Sequence, residues 1–281
     1  MRSFFRPSSP AVDPRPDMPG PNAVPPETVA AGASGPANPF QGRRVPSGKR
    51  IYVIGDIHGC AEQFERLIDM IASDARGLSY RESAIVLLGD FIDRGPDSAR
   101  VLDFVKLMQN SELEVHAIMG NHEEVLLALL DRPSEEIAHF FARIGGRETL
   151  ASYGVTLAPT KPDARDIIES AMAIPEGHRE LLRGLRDSVE IGDMFFTHAG
   201  IDPELPLAEQ DPATLRWIRE PFIGSQDRFE KLVVHGHTIT QGIDLAPGRV
   251  GIDTGAYCTG VLTALVFEED RHWSLQTPPS A

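Results

Sequence analysis

Five short motifs follow directly on apolar runs: Gly55-Asp56-Ile57-His58-Gly59, Gly89-Asp90-Phe91-Ile92-Asp93-Arg94-Gly95-Pro96, Gly120-Asn121-His122-Glu123, His198-Ala199-Gly200 and His235-Gly236-His237-Thr238. Between them they offer carboxylates, imidazoles, an amide and a guanidinium, the groups a two-metal phosphoester site needs. Hydrolysis of a phosphoester requires an activated water, neutralised phosphoryl oxygens and a proton for the leaving group. Two divalent cations about 3.5–4 Å apart, sharing a bridging hydroxide, supply the first two. One Gly-Asp pair after a strand is an ordinary turn; five such motifs in this order are a pattern. Asp56 and His58 stand two apart at a strand end and so can face one side, and Asp90 suits a carboxylate shared by both ions. Mixed oxygen and imidazole donors point to Mn, with Fe or Zn as alternatives, rather than Ca. His235 and His237 are equivalent on spacing alone. His116, His139, His178 and His272 lack such a context and read as core, surface or supporting residues.

The elements that must position these groups show in the periodicity. Residues 51–54, 84–88, 115–119, 194–197 and 231–234 are short apolar runs with the β-branched and aromatic content of buried strands. Phe64, Leu67, Ile68 and Ile71 then fall at helical spacing, as do Val101, Leu102, Val105 and Met108 after a capping Asp97 or Ser98. Alternation of strand and helix is the grammar of a parallel sheet. In such sheets ligand sites gather at the carboxyl ends of the strands. Asp56, Asp90, Asn121, His198 and the His235/His237 pair are therefore expected on one rim. Residues 125–187 are mostly helical by pattern and predict an insertion over one side of the site. Residues 249–255 and 260–268 read as strands joined by a glycine-rich turn that complete a second sheet.

Composition bounds the partners. At 281 residues, 41% hydrophobic and 24% charged, the chain can form one large α/β domain or two small ones. A net charge of −14 argues against nucleic acid and against an anionic membrane surface as partner. No apolar stretch reaches the length of a membrane span, and the first residues lack the apolar core of a secretory signal. Cys60 and Cys258 are too few for a disulfide framework, so a reducing, cytoplasmic setting is expected, and the chain is expected to act as a monomer. Residues 1–48 hold eleven of the 23 prolines and show no apolar periodicity. They are expected to be a disordered tail ahead of a catalytic domain over 49–281.

The Asp56-Ile57-His58-Gly59, Gly89 to Gly95 and Gly120-Asn121-His122-Glu123 motifs resemble those of the calcineurin-like metallophosphoesterases, and within them the bacterial and bacteriophage serine/threonine phosphoprotein phosphatases. The resemblance spans roughly Lys49 to Glu268. It implies an α/β fold, a β-sandwich of two mixed sheets flanked by helices. It implies that Asp56, His58 and Asp90 hold one metal, and that Asp90, Asn121, His198 and His237 hold the other, which separates His237 from His235. His122 would be the general acid and Asp93 the group that orients it, with Asn121 and Arg94 on the phosphate. Trp217-Ile218-Arg219-Glu220 matches a Trp-x-Arg-Glu pattern of phage relatives, which makes Arg219 the second phosphate arginine, with Arg216 as competitor. Ile239 stands where many broader members carry a further histidine, as in the protein phosphatase branch, and Glu123 stands where nuclease relatives usually carry Asp. His198-Ala199-Gly200-Ile201 and Asp253-Thr254-Gly255 also resemble symmetrical dinucleoside tetraphosphate hydrolases, which often lack an acid equivalent to Asp93. The expected activity is a dinuclear-metal phosphomonoesterase acting on phosphoserine or phosphothreonine proteins. A dinucleoside tetraphosphate hydrolase or small-molecule phosphoesterase is the alternative. A non-catalytic binding module would have lost a ligand or the acid, and neither is lost.

Overall fold

The computed structural model describes residues 38–78, 82–158 and 162–279. Two five-stranded mixed sheets form a sandwich. The first has the order β10-β9-β1-β2-β3, with β1 (Arg50–Ile54), β2 (Ser83–Leu87) and β3 (Glu114–Ala117) parallel, and β9 (Thr263–Glu268) and β10 (Arg271–Gln276) antiparallel at one edge. The second has the order β4-β5-β6-β8-β7. Its centre is β5 (Met194–Thr197), β6 (Leu232–His235) and β8 (Arg249–Gly251), all parallel, flanked by antiparallel β4 (Ser188–Ile191) and β7 (Asp244–Ala246).

Alternation along β1 divides its side chains between two cores. Ile51 and Val53 join Val86, Leu88, Phe196, Val234, Val250 and Ile252 between the sheets. Tyr52 and Ile54 face the helical layer, where they meet Phe64 and Leu67 of α1 (Ala61–Asp74) and Val101, Leu102 and Val105 of α2 (Ser98–Gln109). Each such side chain, fully buried, contributes about 1.5–3 kcal/mol of transfer free energy. Both helices match the expected apolar stripes. The expected helical insertion is α3 (Asn121–Asp131), α4 (Glu135–Phe141), a π turn over Ala142–Gly146, α5 (Arg147–Ser152), α6 (Ala164–Ala171) and α7 (Glu176–Arg183), followed after β5 by α8 (Pro212–Trp217). A short α9 (Ala256–Thr259) follows the second sheet. No helix among the described residues is long and apolar enough to cross a membrane.

The tail expected over residues 1–48 lies outside the described residues as far as residue 37. Its last part, however, is packed on the domain. Val45 is buried in the core between the sheets, and Phe40 stacks on His272 with ring centroids 3.6 Å apart. Val45 N–H donates to Glu269 O at 3.0 Å, and the Arg43 guanidinium donates to Phe229 O at 2.6 Å. The packed residues therefore begin ahead of residue 40 rather than at 49. Two apolar residues in a proline-rich stretch carry too little pattern to announce this.

Candidate metal centre and active site

Six parallel strands end on one rim, three from each sheet. Asp56 and His58 follow β1, Asp90 follows β2 and Asn121 opens α3 after β3, while His198 follows β5 and His237 follows β6. The turns that present them are tight. Among the described non-glycine residues with positive φ are His58 (45°), Asp90 (49°), Asp93 (71°), Arg94 (69°) and His237 (64°), all of them at this rim. Such conformations cost of order 1–3 kcal/mol each and persist where the surroundings enforce them. Backbone bonds do so here: the Ile57 and His58 amides both donate to Asp90 O, and Gly236 N–H donates to His198 O at 2.8 Å. Two glycines are required by close approach. A Cβ on Gly236 would lie 1.9 Å from Asp56 Oδ1, and one on Gly120 would lie 2.1 Å from Asp90 Oδ1.

The donor atoms gather in two groups that share Asp90. Those of His58, Asp90 and His122 lie within 4.8 Å of one another, as do those of Asp90, His198 and His237. His58 Nε2 is 3.4 Å from Asp90 Oδ2 and His198 Nε2 is 3.5 Å from Asp90 Oδ1. Asn121 Oδ1 stands 3.0 Å from both His198 Nε2 and His237 Nδ1. The second group brings together three of the four residues expected on the second metal, with Asn121 against two of them. The first differs by one residue: His122 stands in it, whereas the Asp56 carboxylate accepts the His237 amide at 3.0 and 3.2 Å. His235 packs on the Phe222 ring, 5.0 Å between centroids, and joins neither group.

The electrostatics suit cation binding. Burial holds the His58 and His237 imidazoles well below their ordinary pKa and lowers that of His198, which favours the neutral form of each ring. His58 gives Nδ1–H to Ile92 O at 2.9 Å, which aims Nε2 inward, and buried His58 Nε2 and His237 Nε2 have no hydrogen-bond partner. Burial alone would raise the Asp90 carboxyl, but the surrounding His198, His122, His58 and His237 hold it well below the usual range. Burial and the neighbouring Asp253 and Asp90 charges push Asp56 well up. Buried carboxylates crowded in this way, facing neutral imidazoles with unpaired nitrogens, fit a cationic occupant.

Beside these groups lies a buried, hydrogen-bonded histidine–aspartate pair. His122 Nδ1 donates to Asp93 Oδ2 at 2.7 Å, which leaves Nε2 facing the site, 3.1 Å from Arg94 Nη2 and 3.8 Å from Asp90 Oδ2. Burial opposes charge on His122, but the Asp90 and Asp93 carboxylates outweigh it and raise the imidazole pKa. Asp93 is itself held: its Oδ1 accepts from Thr149 Oγ1 at 2.6 Å, and its amide donates to Ser98 Oγ and Thr149 Oγ1.

Two arginines reach the rim. Arg94 is half-buried, its guanidinium 4.9 Å over the Tyr257 ring. Arg219 is exposed, with Nη2 3.5 Å from His237 O; partial desolvation and the nearby Arg94 cation lower its pKa. The competitor Arg216 is engaged elsewhere, 3.0 Å from Asp187 Oδ1 through Nε and 3.3 Å from Glu124 Oε1 through Nη1.

Two carboxylates were not singled out from the sequence as site residues. Glu123 is fully buried and accepts the amides of Gly120 (2.9 Å), Asp90 (2.9 Å) and Phe91 (2.8 Å), so it ties the start of α3 to the Asp90 loop. Asp253, at the end of β8, is buried beside Asp56 with Oδ2 unpartnered. The sequence signal for Asp253 was its place before Thr254-Gly255 after an apolar run. For Glu123 the signal was its place in the Gly120-Asn121-His122-Glu123 motif, which says nothing of the amides it accepts.

Residues 49–257 match the family model for calcineurin-like phosphoesterases. The chain belongs to that family. It is a metal-dependent phosphoric ester hydrolase by fold and donor set. This phosphoesterase is 26% identical over 273 residues to a symmetrical bis(5'-nucleosyl)-tetraphosphatase of Nitrosospira multiformis, covering 79% of this chain and 94% of that protein. It is 27% identical over 230 residues to an asymmetrical bis(5'-nucleosyl)-tetraphosphatase of Bacillus thuringiensis, covering 77% and 90%. A crystal structure described as a candidate diadenosine tetraphosphatase superposes with a TM-score of 0.59 at 21% identity, covering 84% of this chain and 99% of that one. A serine/threonine phosphatase of Saccharomyces cerevisiae similar to human PP5 superposes with a TM-score of 0.50 at 15% identity, covering 86% of each. At these identities the solved structures speak for the fold alone.

Proposed function

We propose that this chain is a two-metal hydrolase of dinucleoside polyphosphates. The observation that carries the substrate is that the Nitrosospira and Bacillus relatives, matched over nine-tenths or more of their own lengths, are both named for dinucleoside tetraphosphates. This reverses the order expected from the motifs, which put phosphoproteins first. One feature supports the phosphoprotein reading: Asp93 is present and bonded to His122, and a serine or threonine alkoxide needs a proton donor more than a departing phosphate does.

In this reading Asp56, His58 and Asp90 hold one divalent cation and Asp90, Asn121, His198 and His237 the other, with Mn as first choice and Fe or Zn as alternatives. When bound, the ions supply Lewis-acid polarisation and an acidified water. The chain supplies the rest. Arg94 and Arg219 bind and orient the phosphoryl oxygens through forked donors. Asp93 fixes the His122 ring so that Nε2 faces the leaving oxygen, and the two carboxylates keep a proton available there. Asn121 aligns the phosphate beside the imidazoles.

A substrate panel tests this. With Mn2+ present, P1,P4-bis(5'-adenosyl) tetraphosphate should exceed phosphoserine, phosphothreonine and phosphotyrosine peptides in kcat/KM by at least about tenfold. Chromatography of the products would distinguish symmetrical cleavage, giving two ADP, from asymmetrical cleavage, giving ATP and AMP. The opposite ranking overturns the proposal in favour of a phosphoprotein phosphatase.

A further inference from the structure

An indole held in place at the surface offers a partner a flat apolar face and a polar edge. Trp217, at the end of α8, is 38% exposed. It is nevertheless fixed: its Nε1 donates to Glu124 Oε2 at 2.7 Å, and Glu124 is also tied to Arg216. The Phe140 ring of α4 lies beside it, 6.3 Å between centroids at 35°. The guanidinium of Arg143, exposed in the π turn, covers Phe140 at 5.1 Å.

All three residues belong to segments that also build the rim. Glu124, which holds Trp217, is three residues after Asn121 in α3. Arg219 is two residues after Trp217. Gly145, two residues after Arg143, accepts the Arg94 amide at 3.2 Å. In a chain of net charge −14, burial and the nearby Arg94 cation together lower the Arg219 pKa, and Arg143 caps the Phe140–Trp217 pair on segments that run directly into the rim. A planar base joined to a polyphosphate has the complementary chemistry: a π face for Trp217 and Phe140, and anionic oxygens for Arg143, Arg94 and Arg219.

We infer that Trp217, Phe140 and Arg143 form a nucleobase subsite that receives one nucleoside of the substrate. The inference rests on the dinucleoside polyphosphate reading above. It assigns base recognition to the helical insertion and α8, away from the ligand-bearing strand ends. A pinned indole loses little side-chain freedom on binding, so the contact is preorganised.

Intrinsic fluorescence tests it without turnover. The chain has two tryptophans, and the other, Trp273, sits on β10 against Arg50. In a W273F variant of the metal-loaded enzyme, adenosine 5'-(α,β-methylene)diphosphate should quench Trp217, whereas methylenediphosphonate, which lacks the base, should not. W217A and F140A should each raise the inhibition constant of the nucleotide analogue about tenfold, the order of one base–aromatic stack. W217F should restore most of it, and kcat/KM for p-nitrophenyl phosphate should stay within twofold throughout. Equal quenching by both ligands overturns the subsite. So does an equal loss on p-nitrophenyl phosphate, which would make Trp217 a support for Arg219. A loss confined to phosphopeptide substrates would assign the shelf to a protein partner and overturn it too. Quenching by the nucleotide in an enzyme that does not cleave dinucleotides would leave the subsite standing and remove the proposed substrate.

Discussion

His122 Nδ1 and Asp93 Oδ2 are 2.7 Å apart, both fully buried, on residues that reach the rim from different elements. The bond fixes the ring and sets its affinity for a proton. D93N would replace an anion by a neutral acceptor, so the His122 pKa should fall. A general acid is active in its protonated form, so the basic limb of the pH–kcat/KM profile should move to lower pH. H122N should lower turnover of phenyl phosphate by about 10²–10⁴, and much less for p-nitrophenyl phosphate, whose leaving group needs little protonation. Equal losses on the two esters would remove His122 from proton transfer.

Asp90 is common to both donor groups, so D90N should empty the centre more completely than H58A, which touches one group. Elemental analysis of active protein should approach two divalent ions per chain. Chelation should abolish turnover and lower the Tm, and Mn2+ should restore both, because an ion that binds only the folded state stabilises it by mass action. Turnover in rigorously metal-free protein would contradict the proposal.

Arg219 and Arg216 should separate cleanly. R219K keeps the charge but loses the fork, so inhibition by inorganic phosphate should weaken about tenfold with metal content unchanged. R216K disturbs a partly exposed ion pair with Asp187 and should cost about 0–1 kcal/mol of stability with little change in phosphate binding. The reverse outcome would place the second phosphate arginine at 216.

The packing of Val45 and Phe40 sets a limit on truncation. A chain beginning at Asn38 should retain turnover on small substrates. One beginning at Gly48 loses the buried Val45, the Phe40–His272 stack and the Arg43 bonds to β6's approach. That is about 2 kcal/mol or more, or a fall in Tm of roughly 4–8 °C for a domain of this size. Equal melting temperatures for the two would return the boundary to residue 48.

The six central strands were legible as strands because both their faces are buried, so they read as continuous apolar runs. The run over 260–268, however, was expected to complete the second sheet and instead pairs with β1 in the first. β4, β7 and β10 were not legible: they are edge strands, open on one side, and residues such as Glu190, Asp244 and Arg271 interrupt any run. The convergence of the candidate site residues was readable because they are chemically distinctive types placed immediately after strands. The choice between His237 and His235 was not readable from spacing, since positions two apart share one face of an extended segment; the resemblance favoured His237, and it is His237 that stands 3.0 Å from Asn121 Oδ1. Glu123 stood in a motif but its role gave no signal, because a carboxylate turned inward to cap four backbone amides has the same sequence as one turned to water.

The donor groups straddle the seam between the sheets: Asp90 belongs to one, His198 and His237 to the other. Their spacing is thus gauged by the thickness of the hydrophobic layer in which Val53, Val86, Val234 and Ile252 interlock. Facing sheets stand about 10 Å apart, and a close-packed interior yields little under strain. The oily filling of the sandwich acts as a caliper for the centre, and a cavity cut into it would be felt at the rim as a change in the grip on the ions.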